Sequence, residues 1–286
     1  MEPAFDAAKV LDELQGVKVA GPRANIFMAV PTIYVKLIEE AKRRGLSECD
    51  FSYLRLMVSG SAAMPRPIAA EWERLSKIKL LERYGMTEIG MALSQELKVD
   101  SRKDGAVGQP MLGVEARIRT ANDEIVPFAS STVCVEGELE IRSESMFTEY
   151  WELPEKTEAE FTRDGWFKTG DTARFDQGHS YILGRTSVDI IKNGGYKLSA
   201  LEIERILLEH DSIKEAAVIG IPDDTWGERV CLIGAFTHEV SVENLRHWAK
   251  DKMASYKVPS KIIAVPELPK NQMGKVNKKQ LKALLL

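Results

Sequence analysis

Cysteine is scarce in this chain of 286 residues: Cys49, Cys134 and Cys231 are far apart and odd in number. They form no Cys-x-x-Cys spacing and no grouping with His179, His210, His238 or His247 that suits zinc. This argues against a disulfide framework and reads as buried thiols in a reducing compartment. Long hydrophobic runs are also missing. Val230 to Phe236, with Gly234 inside it, is among the longest and is far shorter than a membrane span needs. Met1-Glu-Pro-Ala-Phe-Asp6 has neither a basic start backed by an apolar stretch nor an Arg-rich leader. Excess positive charge is absent too, since the formal net charge of -4 argues against a nucleic-acid binder. Only the C-terminal stretch with Lys261, Lys270, Lys275, Lys278, Lys279 and Lys282 is locally basic, as a solvated surface or as an edge facing phosphate.

What is present is an ordinary globular composition, 44% apolar and 29% charged, in a length that favours two domains. Apolar spacing predicts a helix from Phe5 to Gln15, a strand over Asn25–Val30, and a helix over Thr32–Arg44 opened by Pro31. Short apolar runs at Leu54–Val58 and Lys79–Leu81 flank a predicted helix, Arg66–Lys77, and this alternation implies a parallel sheet with crossovers. Ligands then belong at the carboxyl ends of the strands, where Ser59-Gly-Ser-Ala-Ala-Met-Pro65 and Tyr84-Gly-Met-Thr-Glu88 lie. After Gly105 short strands punctuated by Gly and Pro, such as Val114–Arg119, Gly137–Arg142 and Tyr181–Leu183, favour a small antiparallel barrel or sandwich. Past Gly184 a separate α+β pattern follows, with helices Ala200–His210 and Val242–Met253, strands Glu215–Ile221, Arg229–Thr237 and Lys261–Val265, and a last helix from Asn277.

Two segments carry the chemistry most clearly: Trp166-Phe-Lys-Thr-Gly-Asp171, and Gly184-Arg185 followed by Asp189-Ile-Ile-Lys-Asn-Gly-Gly-Tyr-Lys197. An aspartate and an arginine closing on one site suit a polyol beside an anion, because the carboxylate accepts from two hydroxyls and the guanidinium donates a rigid fork. Without further support the pair reads equally as a surface salt bridge. With Tyr84-Gly-Met-Thr-Glu88 and Asn271-Gln-Met-Gly-Lys275 the set resembles the acyl-adenylate-forming, or AMP-binding, superfamily of acyl-CoA synthetases, luciferases and peptide-synthetase adenylation domains. Longer strings, Phe27-Met-Ala-Val-Pro-Thr-Ile-Tyr34, Met57-Val-Ser-Gly-Ser-Ala-Ala63, Glu82-Arg-Tyr-Gly-Met-Thr-Glu88 and Gly184-Arg-Thr-Ser-Val-Asp-Ile-Ile191, look most like malonyl-CoA and methylmalonyl-CoA synthetases of the organellar type.

The resemblance implies an α/β fold: the C-terminal portion of a large AMP-binding domain over residues 1–184, with its parallel sheet in about 1–105 and its β-barrel in about 106–184, then a small mobile α+β domain over 185–286. It implies a reaction in two halves, in which a carboxylate attacks the α-phosphate of ATP to give acyl-AMP and pyrophosphate, and the thiol of CoA then takes the acyl group. Gly60, Ser61, Ala62, Tyr84 and Gly85 would pack on the nucleotide and the acyl group, Thr87 would donate to phosphate, and Glu88 would hold Mg²⁺ with water. Asp171 and Arg185 would grip ribose, and Lys275 would bridge the substrate carboxylate and α-phosphate in the transition state. Lys192, Gly194, Gly195 and Tyr196 would line the pantetheine tunnel once the small domain rotates about a hinge just after the arginine. Arg83 is the candidate partner for a dicarboxylate's second carboxylate, or else an exposed charge pairing with Glu82 or a nearby helix.

Two departures from the family pattern bear on function. Ser187 stands where the family commonly has Asp or Lys, and the run to Gly194-Gly195 is one residue longer, so the hinge position is open. The family's Ser/Thr/Gly-rich phosphate loop ending in Pro-Lys-Gly is not found, and Gly274-Lys275-Val276 is no Walker loop. The expectation is therefore a ligase lacking its N-terminal region, with an uncovered sheet edge that favours self-association. The alternative is a catalytically inactive AMP-binding or interaction module derived from such a ligase. A peptide-synthetase domain or luciferase-like oxygenase is a distant third, with no carrier domain after Leu286. The resemblance suggests mitochondria, with the cytoplasm as the alternative.

Overall fold

The computed structural model describes residues 5–17, 24–128, 133–270 and 276–285. By compactness the chain forms two units, Met1–Val114 with Ser143–Phe147, and Glu115–Arg142 with Thr148–Leu286.

The first unit runs α1 (Ala7–Gln15), β1 (Ile26–Ala29), α2 (Pro31–Arg43), β2 (Leu56–Ser59), α3 (Arg66–Ser76), β3 (Leu81–Met86), β4 (Gly90–Ser94) and β5 (Gln109–Pro110). Asp6 caps α1 by accepting from the Ala8 and Lys9 amides, and Pro31 opens α2 at a position where its missing N–H costs nothing. The sheet order is β1-β2-β3-β4-β5; β1, β2 and β3 are parallel, as the alternation implies, but β3, β4 and β5 are antiparallel. The helices pack around Trp72, fully buried, with Tyr34 edge-on at 4.9 Å and Phe51 stacked at 5.7 Å. Burying a side chain of this size stabilises the unit by about 2–3 kcal/mol. The Tyr34 hydroxyl donates to the Val58 carbonyl at 2.8 Å, so this core also fixes the height of α2 over β2.

The strand positions correct the periodicity reading. Leu54 precedes β2 instead of starting it, and β3 begins at Leu81 where the expected run ends. Residues 84–86 therefore lie in a strand, and Thr87-Glu88-Ile89 make the turn of a β-hairpin just past it. An apolar run cannot distinguish the interior of a strand from the approach to it when the next polar residues, Glu82 and Arg83, also sit in the ladder.

The second unit adds β6 (Val114–Arg119), β7 (Ile125–Pro127), β8 (Val135–Ser143), α4 (Pro154–Glu160), β9 (Phe167–Asp176), β10 (His179–Arg185), β11 (Ile190–Asn193), β12 (Tyr196–Ser199), α5 (Ala200–Leu207), β13 (Ile213–Asp223), β14 (Gly227–Phe236), α6 (Val242–Ala249), β15 (Lys261–Ala264) and α7 (Lys278–Leu285). Helices α5 and α6 are shorter than expected. One sheet is ordered β10-β9-β8-β6-β7 and the next β12-β11-β14-β13, with β15 beside β14. In the first of these sheets Glu140, with no exposed surface, accepts from Arg117 at 2.5 Å and Arg119 at 2.7 Å, while Arg117 and Arg142 stack on Trp166. Two guanidiniums meet the buried carboxylate, which removes the large cost of leaving it unpaired.

Strand β14 explains the apolar run noted in the sequence. Val230 and Leu232 face a core built with α5 and α6, whereas Cys231 and Ile233 face the opposite core with Leu268 and Leu281. A strand covered on both faces has no polar positions to alternate. Among the described residues no helix is long and apolar enough to cross a membrane. Cys49 and Cys231 are buried as expected, but Cys134 is exposed, because it sits just before β8 outside the ladder.

Candidate functional site

In the first unit, the register Ser59↔Glu82 brings the loop after β2 beside β3. A Cβ on Gly60 would lie 3.3 Å from the Arg83 carbonyl, so the small residue permits this approach. Ser61 has φ 65°, and Ser61 and Ala62 are exposed beyond the strand end. Glu82 ties the neighbouring loops together: its carboxylate accepts from the Gly105 amide at 3.3 Å and the Met64 amide at 3.5 Å, while its own N–H donates to Gln95 at 3.0 Å. The buried Gln95 also donates to the Lys103 and Ala106 carbonyls. Gln95 lies outside every motif and gave no sequence signal; its role is to hold the hairpin.

Tyr84 and Gly85 are half-buried in β3, and a Cβ on Gly85 would fall 2.2 Å from the Gly90 carbonyl oxygen. Glycine is required there because the hairpin bulges between Tyr84 and Gly85. Thr87 is exposed at the turn and Glu88 half-buried; Ile89 beside them is fully buried and anchors the turn, and the Glu88 carbonyl accepts from Phe147 at 2.8 Å. Arg83 is half-buried and its Nε donates to the Ser94 hydroxyl at 3.3 Å.

In the second unit, Asp171 on β9 and Arg185 on β10 are directly opposed in the ladder. The Arg185 Nε lies 3.2 Å from the Asp171 Oδ1, with the arginine side chain 48% exposed and the aspartate 9% exposed. The guanidinium is further aimed by Nη1 donating to the Thr169 carbonyl at 2.6 Å, and the Thr169 hydroxyl accepts from the Asp171 amide at 3.1 Å. The two residues thus do form the salt bridge that sequence alone allowed, and the same geometry presents a carboxylate and a guanidinium together. Thr169 lies within a motif, but its positioning role is visible only in the fold.

The segment Lys192 to Tyr196 is the tip of the β11–β12 hairpin. Asn193 pairs with Tyr196 across a two-residue turn, Gly194-Gly195, at φ 55° and 85°, as tight hairpins demand. Lys192, Gly194, Gly195 and Tyr196 are exposed, and Tyr196 stacks on Tyr256 at 4.6 Å. The C-terminal lysines are less solvated than expected: Lys270 pairs with Glu215, Lys282 approaches Glu228, and Lys278 is buried between Asp189 and Glu204. Lys275 and the rest of Asn271-Gln-Met-Gly-Lys275 lie outside the described residues.

Parallel strands with small-residue loops at their ends and an acid–guanidinium pair are the features for which the sequence resembles the adenylate-forming enzymes. The chain belongs to the AMP-binding enzyme family: the profile "AMP-binding enzyme" matches residues 8–151 and "AMP-binding enzyme C-terminal domain" matches residues 202–275. It is 47% identical to the mitochondrial malonate–CoA ligase ACSF3 of Bos taurus, over 98% of this chain and 52% of that protein. It is 45% identical to the malonate–CoA ligase of Arabidopsis thaliana, over 91% of this chain and 44% of that protein. The crystal structure of ATP-bound MatB from Rhodopseudomonas palustris superposes with TM-score 0.86 at 33% identity, over 99% of this chain and 54% of that one. The chain therefore spans about half the length of the relatives it matches.

Proposed function

We propose that this chain is the nucleotide- and thiol-handling portion of an ATP-dependent acid–CoA ligase that acts on malonate or methylmalonate. The observation that carries the reading is the opposed pair Asp171–Arg185, braced by Thr169, in a chain whose curated relatives include malonate–CoA ligases. In this reading the Asp171 carboxylate accepts from the ribose hydroxyls, releasing part of its hold on Arg185, and the guanidinium meets the developing charge nearby. Residues Gly60, Ser61, Ala62, Tyr84 and Gly85 take the base and the acyl group, and Thr87 donates to phosphate. Lys275 stabilises acyl-AMP formation, and the hairpin with Lys192, Gly194, Gly195 and Tyr196 receives the pantetheine arm for thiolysis. In the same reading the small C-terminal domain begins at Arg185, the last residue of β10, ahead of the sheet that opens with β11 at Ile190.

The described residues contain no group of three His, Cys, Asp or Glu able to cage a metal. Glu88 as a single carboxylate nevertheless suits Mg²⁺, which keeps several waters and takes phosphate oxygens as its other ligands. When bound, Mg²⁺ offsets phosphate charge. Mitochondria are the proposed compartment, as for the similar malonate–CoA ligase ACSF3 of Bos taurus.

Arg83 is the proposed anchor of the second carboxylate, since Ser94 is a weak neutral partner that an incoming anion displaces. In a ligase of the relatives' full length, Arg83→Ala is expected to raise the KM for malonate about 30-fold, corresponding to the loss of about 2 kcal/mol for a charge-assisted hydrogen bond. A monocarboxylate should change little; equal losses for both acids would remove Arg83 from the specificity pocket.

The expected self-association is proposed to run through β1, an edge strand on which Met28 is 63% exposed. Sedimentation velocity of the 286-residue chain should show concentration-dependent oligomers that Met28→Lys suppresses. A monodisperse monomer at all concentrations sinks this proposal.

A further inference from the structure

A buried charge cluster lies away from the pair that grips the nucleotide, yet it is bonded to it. Lys278, the first residue of α7, places its Nζ 2.5 Å from the Asp189 Oδ1 and 2.7 Å from the Glu204 Oε1. The lysine is 8% exposed, Asp189 8%, and the Glu204 side chain 13%. Backbone amides add to both carboxylates: Asp189 Oδ2 accepts from the Arg185 N–H at 2.9 Å, and Glu204 Oε1, the oxygen that faces Lys278, also accepts from the Val218 N–H at 2.6 Å. The Asp189 carbonyl accepts from the Ala200 amide at 2.8 Å, which joins the turn to the start of α5.

Burial by itself would lower the Lys278 pKa, but the two carboxylates outweigh it and hold the ammonium charged. Burial pushes the Glu204 carboxyl upward despite the lysine beside it. A site with two acids and one cation keeps its geometry only while the cation is present, because the acids repel once it is gone. Gly184 shows how closely the cluster is fitted. Its φ is 122°, and a Cβ there would lie 2.4 Å from the Asp189 Cβ, so the carboxylate seats against a position only glycine can fill.

The turn after β10 is thereby closed from inside. Both the Asp189 amide, donating to the Arg185 carbonyl at 2.8 Å, and the Asp189 carboxylate bind the backbone of Arg185. We propose that Lys278, Asp189 and Glu204 form a clamp that holds the turn 185–189 and so positions Arg185, with Lys278 as a positioning residue for nucleotide binding. Its link to nucleotide rests on the role given to Arg185 above. The clamp also accounts for the displaced hinge pattern: Ser187 is exposed within the turn, and the charge that organises this segment is two residues further on.

The test is hydrogen–deuterium exchange of the 286-residue chain, comparing residues 184–190 with the β13–β14 core. Lys278→Met is expected to speed exchange in 184–190 about tenfold while the core is unchanged, as local opening does. Lys278→Arg should restore most of the protection. If the Met variant does not fold, Lys278→Gln takes its place under the same criterion. Unchanged exchange in 184–190, or equal acceleration there and in the core, overturns the clamp. In a full-length ligase the Met variant should also raise the KM for ATP about tenfold and leave the KM for the acid unchanged, the split that a positioning loss produces. Selective exchange without that KM change would uphold the clamp and count against Arg185 as a nucleotide ligand.

Discussion

Replacing Asp171 by alanine in a full-length ligase is expected to lower kcat/KM for ATP by two to three orders of magnitude, since two hydrogen bonds to an ionised acceptor are worth roughly 3–4 kcal/mol together. The fold should tolerate the change. The partner left behind, Arg185, is half-exposed and keeps its bond to the Thr169 carbonyl, so it is not stranded in a dry interior. The decisive comparison uses a nucleotide lacking both ribose hydroxyls. Such a nucleotide should be poor with the parent enzyme and no poorer with Asp171→Ala, because the two changes remove the same interaction. Additive losses would mean that Asp171 acts on something other than ribose.

The second large effect is expected at Lys275. Lys275→Ala should slow acyl-AMP formation by about 10²–10³, the range seen when one donor to developing charge is removed, while thiolysis of supplied acyl-AMP continues. Among its neighbours, Lys270, Lys278 and Lys282 each face a carboxylate, Glu215, Asp189 with Glu204, and Glu228, whereas Lys261 and Lys279 are exposed. Measuring pyrophosphate exchange and thiolysis separately checks the prediction. Equal loss in both halves would contradict the role given to Lys275.

Much of the architecture is legible in the sequence. Pro31 opens α2 through its fixed φ, a local event that the sequence shows, whereas the caps Asp6 and Ser199 are identified by their bonds in the structure. Helices α2 and α3 appear within a residue of their expected limits for the same reason. The extent of β3 past Leu81 was missed because the strand carries Glu82 and Arg83, whose polarity hides a ladder position. Glu82 is placed in the sheet by amides from Met64 and Gly105, 18 and 23 residues away in the chain. The hairpin at 194–195 was not legible as a strand pair, since Lys192 and Tyr196 lie on exposed positions with no apolar alternation.

What the sequence by itself determined is the chemistry available: an acid and an arginine separated by 14 residues, small loops after apolar strands, and a family whose members activate carboxylates. Those features depend on residue type and short-range spacing, which the chain carries locally. Tertiary structure alone decided which charges meet. The β9–β10 register opposes Asp171 and Arg185, and packing of α7 against the third sheet buries Lys278 with an aspartate 89 residues away. Periodicity reports which face of an element is buried. It holds no record of which distant group will be buried against it, so a lysine that reads as solvated in the sequence becomes, in the fold, the cation of a closed cluster.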